Sequence, residues 1–200
     1  TWISSAGSST NSISYTFSAQ NIGTATSDRV VVVCVGGHGA TSATITSVTL
    51  DGNAMTQAIL LSTTGTDKGP IGIYYLSYST GATADIVVTA DSTLNRCQIE
   101  VFTLTGLNSS TPTSTASSTA TPPSASITPS AGGLVIGFAK TLNSTGTIWT
   151  NLTEDTDNVL ESVQTFSSAH ENNLTNSSRT ITANHTVTET SPALVLAAWR

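Results

Sequence analysis

Hydrophobic and polar positions along this chain alternate far more often than they recur at a helical spacing. "SISYTFSA" at 12–19 places Ile13, Tyr15 and Phe17 on one face, the period of two that a half-buried strand requires. "ATITSVTL" at 43–50 alternates through Ile45 and then, after a slip of one position, through Val48 and Leu50. "DGN" at 51–53 predicts a tight turn into "AMTQAILL". "IGIYYLSY" (71–78), "ADIVVTA" (84–90) and "QIEVFTL" (98–104) follow, with "STGAT" and "DSTLN" read as the turns between them. Apolar residues at i, i+3, i+4 and i+7 are scarce, so the first hundred residues predict six or seven strands and no helix.

One stretch breaks the alternation. "DRVVVVCVGG" at 28–37 runs through six consecutive apolar residues, Val30 to Val35. That is far short of the roughly 20 needed to span a bilayer as a helix. An unbroken run of this length fits a strand buried on both faces.

A polar stretch, "NSSTPTSTASSTATPPSAS" at 108–126, holds only small and polar residues, with Pro112, Pro122 and Pro123. It reads as a linker or as a crossover running over the surface. Beyond it the first-half pattern returns. "SASITPSAGGLVIGFAKT" sets a short alternating strand before a second apolar run, Leu134 to Ala139, interrupted only by Gly137. "SATITSVTLDGN" is answered by "TGTIWTNLTEDTDN", "IGIYYLSY" by "VLESVQTFSSA", "ADIVVTAD" by "RTITANHTV", and "RCQIEVFTLTG" by "SPALVLAAWR". The chain is an internal pseudo-repeat, with halves at about 1–107 and 124–200 and a crossover at 108–123. The second half holds few apolar residues and would be marginal alone. The expectation is therefore a single all-β domain over 1–200, a jelly-roll-like β-sandwich whose halves pack face to face. The runs at 30–35 and 134–139 would be its central strands and hold the halves together.

Composition narrows the partners. Charged residues make up 9% of the chain, against roughly 25% in soluble domains at large. Ser and Thr make up about a third, so hydroxyls stand where charges usually do. The six basic residues, Arg29, Lys68, Arg96, Lys140, Arg179 and Arg200, are scattered in a chain of net charge −6. No patch is available to neutralise phosphates, which argues against nucleic acid. No apolar stretch argues for a membrane. "TWISSAGSST" has neither the basic start nor the apolar core of a secretory signal, and it fits either a removed signal or a clipped initiator Met before Thr1.

Candidate chemistry is sparse. Cys34 lies inside the first apolar run and reads as a buried thiol, with a bond to Cys97 as the alternative; two cysteines without nearby histidines leave a zinc shell half empty. His38, His170 and His185 are the only histidines, and each reads as a loop or surface residue. No nucleophile elbow or zinc-protease motif accompanies them. "GGHG" lacks the Lys, the Ser/Thr and the helix of a phosphate cradle and reads as a tight strand exit. "TEDTD", with Glu154, Asp155 and Asp157, is the densest acidic cluster. It reads as a solvated loop, with calcium as the alternative, although the spacing of an EF-type loop is missing. No pattern establishes a cleft for paired glycosidase carboxylates. Asn108, Asn143, Asn151, Asn173, Asn176 and Asn184 begin N-x-[ST] triplets, little more than so Ser/Thr-rich a chain gives by chance. Trp2, Trp149 and Trp199 are far apart, and Trp199 in "LVLAAWR" reads as core. No catalytic, cofactor-binding or metal residue is expected, and no enzyme.

The order "NIGTATSDRVVVVCVGG", "ITSVTLDGNAMTQA", "IGIYYLSYSTGATADIVVT", "RCQIEVFTLTGLNSSTP", "AGGLVIGFAK", "WTNLTEDTD" and "ALVLAAWR" resembles a family of β-sandwich virion proteins of tailed bacteriophages and prophages, related to sandwich modules of bacterial surface proteins. The resemblance covers nearly the whole chain, and its motifs are structural. It implies a capsid decoration, head-fibre or tail-associated component that docks on major capsid or tail proteins, as a homo-oligomer in the virion. The alternative is an adhesive or carbohydrate-binding module that acts on host-surface glycans, from a tail or an extracellular cell-surface protein.

Overall fold

The computed structural model describes residues 1–39, 42–63, 69–187 and 190–200; Lys68 lies outside them. The chain divides into two compact units, Thr1–Ser110 and Thr111–Arg200, each all-β and each built as two antiparallel sheets around its own core. The boundary falls inside the Ser/Thr/Pro stretch.

The first unit holds β1 (Trp2–Ser8), β2 (Ser12–Asn21), β3 (Val30–His38), β4 (Ile45–Leu50), β5 (Asn53–Ala54), β6 (Thr56–Ser62), β7 (Pro70–Ser77), β8 (Thr83–Leu94) and β9 (Arg96–Leu104). One sheet has the order β1-β9-β3-β7-β6, the other β2-β8-β4-β5. The second unit holds β10 (Ser114–Ser118), β11 (Ser124–Ile127), β12 (Gly133–Thr141), β13 (Thr147–Thr150), β14 (Thr153–Leu160), β15 (Gln164–Leu174), β16 (Arg179–His185) and β17 (Ala193–Trp199). Its sheets run β10-β17-β12-β15-β14 and β11-β16-β13. Strand for strand this is the same order, with only the two-residue β5 lacking a counterpart.

Both apolar runs are the central strands of five-stranded sheets, β3 between β9 and β7, and β12 between β17 and β15. Every residue of β3 is buried. Val31, Val33 and Val35 point into the core of the first unit, where Tyr15, Ile45, Val48, Leu50, Ile86 and Val88 reach in from the facing sheet. Val30, Val32 and Cys34 alternate onto the opposite face and are equally buried. In the second unit Val135, Ala139, Ala169, Leu194 and Leu196 meet Ile127, Ile181 and Ala183 in the same way.

Local signals explain most of the turns. Asp51 and Gly52 have φ of 47° and 77°, the pair of positive values that a two-residue hairpin turn demands. The slip within "ATITSVTL" is a register shift between Ile45 and Ser47. A similar shift between Ser12 and Ser14 takes Ile13 off the face it was expected to share with Tyr15 and Phe17, and it is 53% exposed. "DSTLN" is not a turn over its length, because β8 continues to Leu94. The strand exit falls at the end of "GGHG": Gly36, Gly37 and His38 still pair with β9, and β3 ends at His38. Gly37 is packed so closely that an added Cβ would lie 2.8 Å from Leu94 Cδ1. Within 108–126, Ser114–Ser118 pairs with β17 and Ser124–Ile127 with β16, so the polar stretch contributes two edge strands.

Candidate functional site

The residue types that most often carry chemistry are held in structural roles. None of the three histidines is in a loop. His38 closes β3 opposite Arg96, is buried, and has Nδ1 3.2 Å from Arg96 Nη1. His185 closes β16, also buried, with Nδ1 3.0 Å from Thr147 Oγ1. Burial pushes its pKa down to about 4 against the opposing pull of Asp157. His170 lies on β15 with Nδ1 2.8 Å from both carboxylate oxygens of Asp155. Ser168, two residues back on the same face of β15, is buried, and its Oγ makes no hydrogen bond among the described residues.

The acidic cluster is also not a loop. Glu154, Asp155 and Asp157 lie on β14, an edge strand whose register shifts between Glu154 and Thr156. The shift leaves Asp155 beside His170, while Asp157 Oδ2 accepts the Thr147 N–H at 2.8 Å across to the facing sheet. The carboxyl of Glu154 is held above its usual range, first by desolvation and then by Asp157 and Asp155. Asp155 and Asp157 are thus held by different partners, one on β15 and one on β13. Among the described residues no group of three or more His, Cys, Asp or Glu side chains is placed to hold a metal.

Cys34 and Cys97 are on adjacent strands, but register sets Cys34 opposite Glu100 and Cys97 opposite Gly37. They face opposite sides of the sheet, so no disulfide joins them. Trp199 is fully buried, as expected of core. Trp149 Nε1 donates to Ser167 Oγ at 2.8 Å and Trp2 Nε1 to Glu100 Oε2 at 2.9 Å, so both indoles are tied to strands. Asn151 and Asn173 take φ of 65° and 55°, left-handed backbone conformations that Asn tolerates.

The outer faces of the smaller sheets carry rows of hydroxyls, beside the exposed Asp85 and Asp91 of β8 and Ile148 of β13. On the exposed face of the four-stranded sheet, Ser14 stands opposite Thr89 and Thr89 opposite Ser47, while Thr16, Val87 and Thr49 form the next row. The second unit repeats the device with Ser124, Thr182 and Thr150 in one row and Ser126 and Thr180 in another. The Ser124–Thr182 and Ser126–Thr180 hydroxyls hydrogen-bond at 2.9 and 3.0 Å. Neighbours within a row stand a strand spacing of about 4.8 Å apart, and successive rows lie two residues, about 6.6 Å, further along the strands, which makes a regular array of donors and acceptors. At the edge of the first array a cavity of about 270 Å³ opens between β1 and β2, lined by Gly7, Ser8, Thr10, Ser12, Ser14 and Thr16, with the aromatic Tyr15 and Phe17 also on its wall. The Tyr15 hydroxyl is already committed to the Thr10 and Leu94 carbonyls, at 2.8 and 2.6 Å. Sequence reasoning did not single out these rows, although their signal was the Ser and Thr at alternate positions of "SISYTFSA" and "RTITANHT". An array without charge suits another polar, neutral surface. It offers nothing to neutralise a phosphate.

No protein-family profile matches the chain, and no curated protein matches it in sequence.

Proposed function

We propose that this chain is a non-enzymatic structural protein of a tailed-bacteriophage virion, a capsid decoration or head-fibre component that docks on other virion proteins. The observation that carries the reading is the duplicated sandwich displaying the same uncharged hydroxyl array twice. A rigid sheet face with few mobile charged side chains loses little side-chain entropy on docking. The resemblance of the strand and turn signatures to phage sandwich proteins points the same way. The strand order supports a jelly-roll description of each unit: the first strand lies beside the last, the second beside the next-to-last, and the two sheets interleave. Mass spectrometry of purified virions, followed by imaging of the particle at the site of added density, tests the proposal. A chain absent from virions, and unable to bind capsids or tails when purified, overturns it.

A second reading, an adhesive or carbohydrate-binding module, draws on the hydroxyl-lined cavity between β1 and β2. A neutral sugar would be recognised there by hydroxyl donors and acceptors beside the aromatic Tyr15 and Phe17. A glycan array with no binding above background removes this reading and leaves the virion proposal standing.

A further inference from the structure

The two units give an internal comparison. Because their strand orders match, β6 in the first unit and β14 in the second are equivalent edges of the five-stranded sheets, each hydrogen-bonded on one side only among the described residues. They even bulge at the same place, between Gln57 and Ile59 in β6 and between Glu154 and Thr156 in β14. Their side chains differ sharply. β14 carries Glu154, Asp155 and Asp157, the charges with which natural sheets keep an edge from pairing with another chain. β6, "TQAILLS", has no charge and no proline, and Ala58, Ile59, Leu60 and Leu61 are only partly buried. The remaining edges of the five-stranded sheets, "WISSAGS" and "STASS", offer mostly small side chains.

We infer that β6 is a self-association edge, pairing antiparallel with β6 of a second copy about a two-fold axis through Leu60. Charge and register select that occupant. The chain carries a net charge of −6 and its equivalent edge is acidic, so β6 is the one of the pair that meets its own copy without like-charge repulsion. Leu60 packs against the core of the first unit, whereas Ile59 and Leu61, opposite Ile73 and Ile71, lie on the other face of the sheet. Residues directly opposed in an antiparallel pair share a face. A two-fold through Leu60 satisfies this, setting Leu60 against Leu60 on one face and Ile59 against Leu61 on the other. A slip of one residue would set Leu60 against Leu61 and oppose the wrong faces. The pairing is closed, since each copy uses its single β6. It joins two five-stranded sheets into one of ten, and it stands independently of the virion proposal.

Sedimentation velocity on the full chain tests the inference. The parent chain is expected to be a dimer, and Leu61→Lys, which places an ammonium against Ile59 of the partner copy, is expected to sediment as a monomer with an unchanged circular-dichroism spectrum. Leu60→Cys supplies a readout that does not depend on that variant folding. Cα atoms opposed across an antiparallel pair lie about 4.5–5.5 Å apart, within disulfide reach, so mild oxidation with diamide should link two copies covalently. Ile148→Cys, exposed on β13, should not give that link at the same protein concentration. A parent chain that sediments as a monomer overturns the inference. So does a dimer in which Leu60→Cys forms no more cross-link than Ile148→Cys.

Discussion

The indole of Trp149 lies over Gly137: a Cβ added at that glycine would meet Trp149 Cζ3 and Leu152 Cδ1, each at 2.8 Å. This explains why the apolar run "LVIGFA" is broken at that one position. Gly137 faces the interior from the central strand β12, and the ring that crosses it is pinned by its bond to Ser167. Gly137→Ala should destabilise the second unit by about 1–3 kcal/mol through overpacking. Chemical denaturation followed by circular dichroism would measure it. Trp149→Phe, which shortens the ring system, should recover part of the loss in a double-mutant cycle; additive effects would show that the two residues do not interact.

Arg29 is the buried cation around which the loops of the first unit are organised. It is 1% exposed; Nε donates to the Tyr78 carbonyl at 2.7 Å, Nη1 to the Gly23 and Ile22 carbonyls at 2.7 and 3.4 Å, and Nη2 to the Thr80 carbonyl at 2.5 Å. Its guanidinium also lies 5.9 Å from the centroid of the Tyr78 ring. A planar fork serves these carbonyls at once, which a single ammonium cannot do. Arg29→Lys should therefore cost about 1–3 kcal/mol by leaving buried carbonyls unmatched, and Arg29→Met should cost more. Urea midpoints of the two variants would check both the size and the order.

Much of this architecture was legible in the chain because apolar spacing encodes it. The bulge in β4, the turn at Asp51–Gly52 and the correspondence of "RCQIEVFTLTG" with "SPALVLAAWR" all survive into the strand order. What escaped notice was structure made without apolar residues. Ser114–Ser118 is an edge strand whose ladder is satisfied by β17, and tertiary pairing decides such a segment where propensity does not, whereas the alternation of "SASI" had already marked Ser124–Ile127 as a short strand. "TEDTD" reads as a loop by composition and is a strand because an edge tolerates charge. Nothing around Arg29 in sequence announces the four carbonyls that bury it, since Ile22, Gly23, Tyr78 and Thr80 come from two separate loops. The hydroxyl arrays lie in registers that only strand pairing reveals.

Acid should loosen the second unit through His185. The imidazole is buried and its pKa is pushed from 6.5 down to about 4, so the folded chain favours the neutral ring while the unfolded chain takes up the proton first. This contribution to stability is complete above pH 6.5 and declines as the pH falls toward 4. Asp157 faces the ring and moderates the decline. At about 1.4 kcal/mol per pKa unit the full effect is on the order of 3 kcal/mol. His185→Gln, which cannot charge, should flatten the stability profile between pH 6.5 and 5, above the range where most carboxylates titrate. Urea unfolding at a series of pH values would show it; equal slopes for parent and variant would exclude His185 as the source.

The hydroxyl arrays make the docking proposal specific. Thr16 and Thr180 are exposed on the outer faces of the two smaller sheets, with Phe17 and Ile181 beside them turned into the cores. Thr16→Lys and Thr180→Lys each place one charge in an otherwise neutral row. Surface substitutions of this kind stay within about 0.5 kcal/mol of the parent in stability, so thermal melting should be nearly unchanged. An uncompensated charge pressed against a polar, neutral surface must be desolvated without a partner, which costs far more than the hydroxyl it replaces. Occupancy on capsids or tails, measured by co-sedimentation, should therefore fall by tenfold or more for at least one of the two variants. If both variants load onto particles as the parent does, the hydroxyl faces are not the docking surface, and attachment must run through the loops or the sheet edges instead.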